Sequence, residues 1–143
     1  MEALRTRHST PWHFWVLGAF LFLWQSFAAF DYFATLFRYE PYLSNLPQDV
    51  LEHYFASPGW MYITWAVASV GGFIAAVLFL ARNKLAVPAY GAAWIGGLVA
   101  NLYGWFNPPP GMEDARIFSV IIVALTAVLF FYVYSMKKRG VLR

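Results

Sequence analysis

Four stretches of the chain carry few polar side chains, and each is long enough to cross a bilayer. They run from about 12 to 37, 59 to 81, 85 to 106 and 117 to 136. A membrane-spanning helix needs about 20 mostly apolar residues to cross a hydrocarbon core roughly 30 Å thick. The last three stretches hold no charged residue. A soluble amphipathic helix shows polar side chains every turn, and barrel strands alternate apolar with polar positions; neither pattern is present. The pattern predicts an all-α membrane protein, a four-transmembrane-helix bundle forming a single integral membrane domain over residues 1–143.

The connections add three expectations. Between the first two spans, Ser44-Asn45-Leu46-Pro47 reads as a polar cap followed by an early-turn proline. After it, Leu46, Val50, Leu51, Tyr54 and Phe55 form an apolar face opposite Gln48, Asp49, Glu52 and His53, which predicts a short amphipathic helix in the first outer loop. The link at 82–84 is so short that the second and third spans must be antiparallel neighbours. Asn107-Pro108-Pro109-Pro110-Gly111 ends the third span abruptly and stiffly.

Composition agrees with the pattern. Of 143 residues 61% are apolar, 21% aromatic and only 12% charged, against about 25% charged in ordinary soluble domains. The net charge of +3 gains meaning from its placement. Arg5, Arg7, Arg82, Lys84, Lys137, Lys138, Arg139 and Arg143 fall on one side of the spans, while Arg38 and Arg116 share the other with Glu40, Asp49, Glu52, Glu113 and Asp114. Basic loops stay cytoplasmic, so both termini are expected inside, and no nucleic-acid partner is needed to explain the charge. The N-terminal run resembles a secretory signal but is longer and more aromatic than such signals, and is read as a retained first span.

Small residues recur at helix spacing: Ala68, Gly72 and Ala76 in the second span, Ala93 and Gly97 in the third, with Gly96 on an adjoining row. Such stripes let helix backbones approach closely, either within one bundle or across a homodimer. Trp24 precedes Asp31 by seven residues, and Trp94 precedes Asn101 by seven, which hints at a repeat of two hairpins. Trp24 and Trp94 lie deep, where each indole N–H needs a partner.

The inventory for chemistry is short. With no cysteine there is no disulfide, thiolate or iron–sulfur chemistry. His13 stands at the inner edge of the first span and no other histidine and no lysine lies inside a span, and there is no catalytic triad, phosphate loop or metal-ligand cluster, so neither enzyme activity, cofactor nor metal is expected. An ionisable group inside a membrane is by default a functional candidate, which singles out Asp31, roughly 28 Å along its helix and close to the outer surface. Thr35 and Arg38 share its face. A structural carboxylate bonded to Asn101 or a tyrosine, or paired with Arg38, is the plainer reading. Gln25 and Asn101 are expected to bridge helices, or to line a solute path with Asp31.

Leu23-Trp24-Gln25-Ser26-Phe27-Ala28-Ala29-Phe30-Asp31-Tyr32, Tyr54-Phe55-Ala56-Ser57-Pro58-Gly59-Trp60, Gly71-Gly72 and Arg82-Asn83-Lys84-Leu85-Ala86-Val87-Pro88-Ala89 resemble a family of small uncharacterised bacterial four-helix inner-membrane proteins. Some of its members are automatically labelled sugar transporters. The resemblance implies a bacterial inner (cytoplasmic) membrane location and four spans, and assigns no binding residue. The expected role is a non-enzymatic accessory or structural subunit, partnered by the lipid bilayer and by a second copy or a larger membrane complex. The alternatives are a dimeric transporter of a small polar solute, and a binder of lipid, quinone or pigment.

Overall fold

The computed structural model describes residues 9–143, so Arg5, Arg7 and His8 lie outside the described residues. Within them the chain is all-helical. The elements are α1 (Trp12–Leu36), α2 (Glu40–Leu43), α3 (Gln48–Phe55), α4 (Gly59–Leu80), α5 (Ala86–Phe106) and α6 (Ala115–Lys138). Pro11, Pro47 and Pro58 stand immediately before α1, α3 and α4, where a missing N–H costs nothing because the first helical N–H groups lack partners anyway.

Three helices, α1, α4 and α6, are long and apolar enough to cross a membrane, not the four expected. The exception, α5, is 21 residues long and uncharged, yet it contains Gly91, Gly96, Gly97, Gly104, Pro88, Asn101 and a run of alanines. These residues give up apolar surface for close packing. Accordingly α5 lies inside the row of long helices, which pack side by side in the order α1, α4, α5, α6, with the α4–α5 interface the most extensive.

The first loop differs from expectation in two ways. An additional short helix, α2, precedes α3. The Ser44 and Asn45 side chains do not cap α3; they turn back to donate to the Pro41 carbonyl, and the residue before α3 is Pro47.

Helices α1, α4 and α6 end alike. Arg38, Arg82 and Gly140 take left-handed φ values of 54°, 58° and 72°. Each donates its N–H three residues back, and the next residue donates five back: Tyr39 to Ala34, Asn83 to Leu78, Val141 to Met136. This is the Schellman termination, which favours glycine. Arg38 and Arg82 occupy it with side chains that have other contacts. Arg38 lies over the Phe55 ring, 4.3 Å from its centroid, and Arg82 Nε donates to the Val141 carbonyl at 3.2 Å.

The core sits at the end that carries Arg82, Lys84, Lys137 and Lys138. Phe14 stacks on Phe79, with centroids 4.3 Å apart, and Leu21, Tyr90, Leu129, Val133 and Met136 complete the cluster. Residues 141–143 fold back beneath it. Val141 and Leu142 are buried, Arg143 donates its N–H to the Arg82 carbonyl at 2.7 Å, and Lys84 donates to the Arg143 carbonyl at 2.9 Å. Here α1 also reaches α6, through His13 Nδ1 and the Tyr132 hydroxyl 2.6 Å apart. The basic end is closed.

Candidate functional site

Beyond that core the four long helices do not fill the space between them. A cavity of about 630 Å³ runs from a floor at Gln25, Ser69, Tyr90 and Thr126 towards the opposite end, where α3 and the proline loop 107–111 border its mouth. That size is ordinary for a drug-sized ligand. Its walls are mostly apolar and rich in aromatic rings, including Trp24, Trp65 and Trp94.

The floor is polar but mostly self-satisfied. Ser69 Oγ donates to the Trp65 carbonyl at 2.7 Å, and Thr126 Oγ1 donates to the Ile122 and Val123 carbonyls at 2.7 and 3.1 Å. Tyr90 and Trp94 reach from α5 to α6, donating to the Thr126 and Val123 carbonyls, both at 3.4 Å. Trp94 thus has the partner its depth required.

Gln25 is the exception. It is only 6% exposed, and no hydrogen-bond partner for its amide is found among the described residues. The amide packs in the notch left by Gly72, where a Cβ would collide with it. No fully buried side-chain nitrogen or oxygen lacks a partner among the described residues, so the amide keeps its access through the cavity that it lines. The expected helix-bridging bond is therefore absent among the described residues.

Asp31 and Asn101 line the same cavity. Asn101 donates to the Gly97 carbonyl of its own helix at 2.8 Å, so it does not bridge helices either. Asp31 accepts from the Tyr42 hydroxyl at 2.7 Å, which pins α2 to α1. Burial and this carboxylate push the Tyr42 hydroxyl up to about 12, and burial with the Asp31 charge also raises Tyr54. Tyr42 escaped sequence reasoning because α2 itself did. The only signal was a tyrosine eleven residues beyond the carboxylate.

Thr35 and Arg38 do not join this group. They border a second, smaller hollow with Leu36, Phe55 and Tyr62. The pairs Trp24/Asp31 and Trp94/Asn101, by contrast, converge on the one cavity from α1 and α5. Of the small residues, Gly97 faces Ala68 and Gly71 faces Ala93 across α4–α5, each with ordinary spacing. Ala76 is buried in the core. The closest approach across α4–α5 is at Gly96, where a Cβ would stand 2.9 Å from the Thr64 carbonyl oxygen.

Bonds across the mouth hold its rim. His53 Nε2 lies 3.0 Å from the Asn107 carbonyl, the Tyr62 hydroxyl donates to the Tyr54 carbonyl at 2.7 Å, and Arg116 Nε donates to the Trp105 carbonyl at 3.1 Å. The side wall is less complete. Phe27 on α1 and Phe118 on α6 both line the cavity while remaining 64% and 61% exposed. The first and last long helices, which carry them, do not pack against one another at length. No group of three or more His, Cys, Asp or Glu that could hold a metal exists among the described residues.

Comparison with protein-family models, with curated proteins and with solved structures finds no match for this chain.

Proposed function

We propose that this chain is a non-enzymatic multi-pass membrane protein whose cavity holds an amphiphilic small molecule taken from the lipid phase. In this reading α5 joins the three strongly apolar helices as the fourth span of a bundle. The basic end faces the cytoplasm by the sidedness of its charges, and the membrane is the bacterial inner membrane that the sequence resemblance implies. The observation that carries the reading is that Phe27 on α1 and Phe118 on α6 line the cavity while remaining largely exposed, which leaves it open sideways to lipid. A cavity with apolar walls that opens towards acyl chains suits a ligand with an apolar body, and the closed basic end makes it a pocket rather than a pore.

The test is extraction. Protein purified in mild detergent carries a stoichiometric amphiphile detectable by native mass spectrometry. Filling the cavity from two walls with Ala28→Trp and Ser119→Trp removes it, whereas Leu23→Trp, on an exposed position of α1, leaves it. Equal retention in all three proteins refutes the reading. An accessory-subunit or homo-oligomeric role is the second reading. It is favoured by the exposed α6 face of Ile117, Ile121, Leu125 and Val128, and is tested by partner identification from native membranes. Solute transport by a dimer would use the same cavity, with Asp31, Gln25 and Asn101 along the path. It predicts that uptake falls in Asp31→Asn and Asn101→Ala.

A further inference from the structure

Resting on the ligand-binding reading, we propose that the ligand is an organic cation, a protonated amine or quaternary ammonium on an apolar body, with Asp31 as its counter-ion. Three observations converge. Asp31 is the only carboxylate among the residues lining the cavity, and it is half-buried. Its Oδ1 accepts from Tyr42, and the second oxygen has no such partner among the described residues. The same cavity is lined by the rings of Trp24, Tyr54, Tyr62, Trp65, Trp94 and Tyr103. Aromatic faces attract cations through their quadrupole, by about 0.5–1 kcal/mol when exposed and about 2 or more when desolvated, and a cavity lined by aromatic rings and one carboxylate suits an ammonium group on both counts.

The other titratable groups on the lining do not reverse this. Arg116 is exposed at the rim, where solvent screens it, and its guanidinium is already held by the Trp105 carbonyl and lies over the Trp105 ring at 5.8 Å. His53 is tied to the Asn107 carbonyl. The Gln25 amide on the floor keeps its access to the cavity. It is neutral, and so compatible with a cation.

Matched ions of opposite charge test the idea. Tetraphenylphosphonium and tetraphenylborate share one shape. Isothermal titration of the detergent-solubilised full chain is expected to show saturable phosphonium binding at least tenfold tighter than borate binding. Asp31→Asn should weaken phosphonium at least tenfold, Asp31→Glu should keep it within a few-fold, and Asp49→Asn, outside the cavity, should leave it within twofold. Borate binding as tightly as phosphonium, or undiminished phosphonium affinity in folded Asp31→Asn, overturns the cation assignment. If Asp31→Asn does not fold, loss of phosphonium binding in folded Asp31→Glu with borate binding intact overturns it too. The doubly filled variant separates the two claims. Loss of both ions there, with no preference between them in the native chain, leaves the ligand-binding reading standing and the cation inference refuted. Unaltered binding of both ions removes the cavity reading as well.

Discussion

Gly96 and Gly97 are neighbours in sequence with the same helix propensity, and the structure gives them opposite sensitivities. A methyl group on Gly96 would lie 2.9 Å from the Thr64 carbonyl oxygen and 3.0 and 3.1 Å from Val67 side-chain carbons. The first of these is backbone of α4, and Val67 is β-branched and stiff, so neither can yield locally. The helices must part by about half an ångström, which forfeits about a quarter of the dispersion well for contacts along the interface. Overpacking of this kind costs about 1–3 kcal/mol. On Gly97 the added methyl would meet the Ala68 Cβ at 3.7 Å, an ordinary contact. In both cases replacing glycine within a helix returns about 1 kcal/mol.

Gly96→Ala is therefore expected to destabilise the chain by up to about 2 kcal/mol, and Gly97→Ala to be neutral or stabilising by up to about 1 kcal/mol. Reversible unfolding in mixed micelles, followed by tryptophan emission, measures both. Gly96→Val, with two more methyl groups against the same carbonyl, should be worse than Gly96→Ala. Equal effects of the two alanines, or a larger loss at Gly97, would show that α4 and α5 pack in a different register.

Two further outcomes follow from the polar contacts. Trp94→Phe should cost under about 1 kcal/mol in the same unfolding assay, because the Val123 carbonyl still accepts from Thr126 Oγ1 when the indole is gone; a loss of several kcal/mol would contradict this. Tyr42 holds its proton to about pH 12 in the folded chain against an ordinary 10, so the stability it contributes is fully present below about pH 10 and is lost as pH rises from 10 to 12. Tyr42→Phe should flatten that segment of a melting-temperature profile, and an identical alkaline profile in the two proteins refutes the Tyr42–Asp31 bond.

What the sequence made legible is what depends on local spacing. The apolar runs mark α1, α4 and α6, and the i, i+7 pairs on α1 and α5 put Trp24 with Asp31 and Trp94 with Asn101 on faces that do meet one cavity. The third run, at 85–106, falls short of the other three for a local reason as well. Absence of charge is not the same as apolarity, and the glycines and alanines of α5 that weaken it as a span are those that let it approach α4. Contacts that join distant segments were not legible. Nothing in the pattern places Tyr42 on Asp31, or Gln25 against Gly72 with its amide unpartnered. Nor does it choose Gly96 over Gly97 as the close approach, since the two stripes differ by one residue and a rotation of about 100°.

The same contrast explains why a cavity exists at all. Small residues bring α4 and α5 together along their length, and that close pair fixes the middle of the row. The outer helices are joined to it unevenly. At the basic end Phe14, Phe79, Tyr132 and Met136, with Val141 and Leu142 beneath them, draw α1 and α6 into one core. Towards the other end α6 is bonded to α5 through Trp94 and Arg116, and α1 to α2 through Asp31 and Tyr42. Beyond that core α1 and α6 both line the cavity. The volume beyond the core is left for an occupant, and among the groups that line it are aromatic rings, one carboxylate and the Gln25 amide.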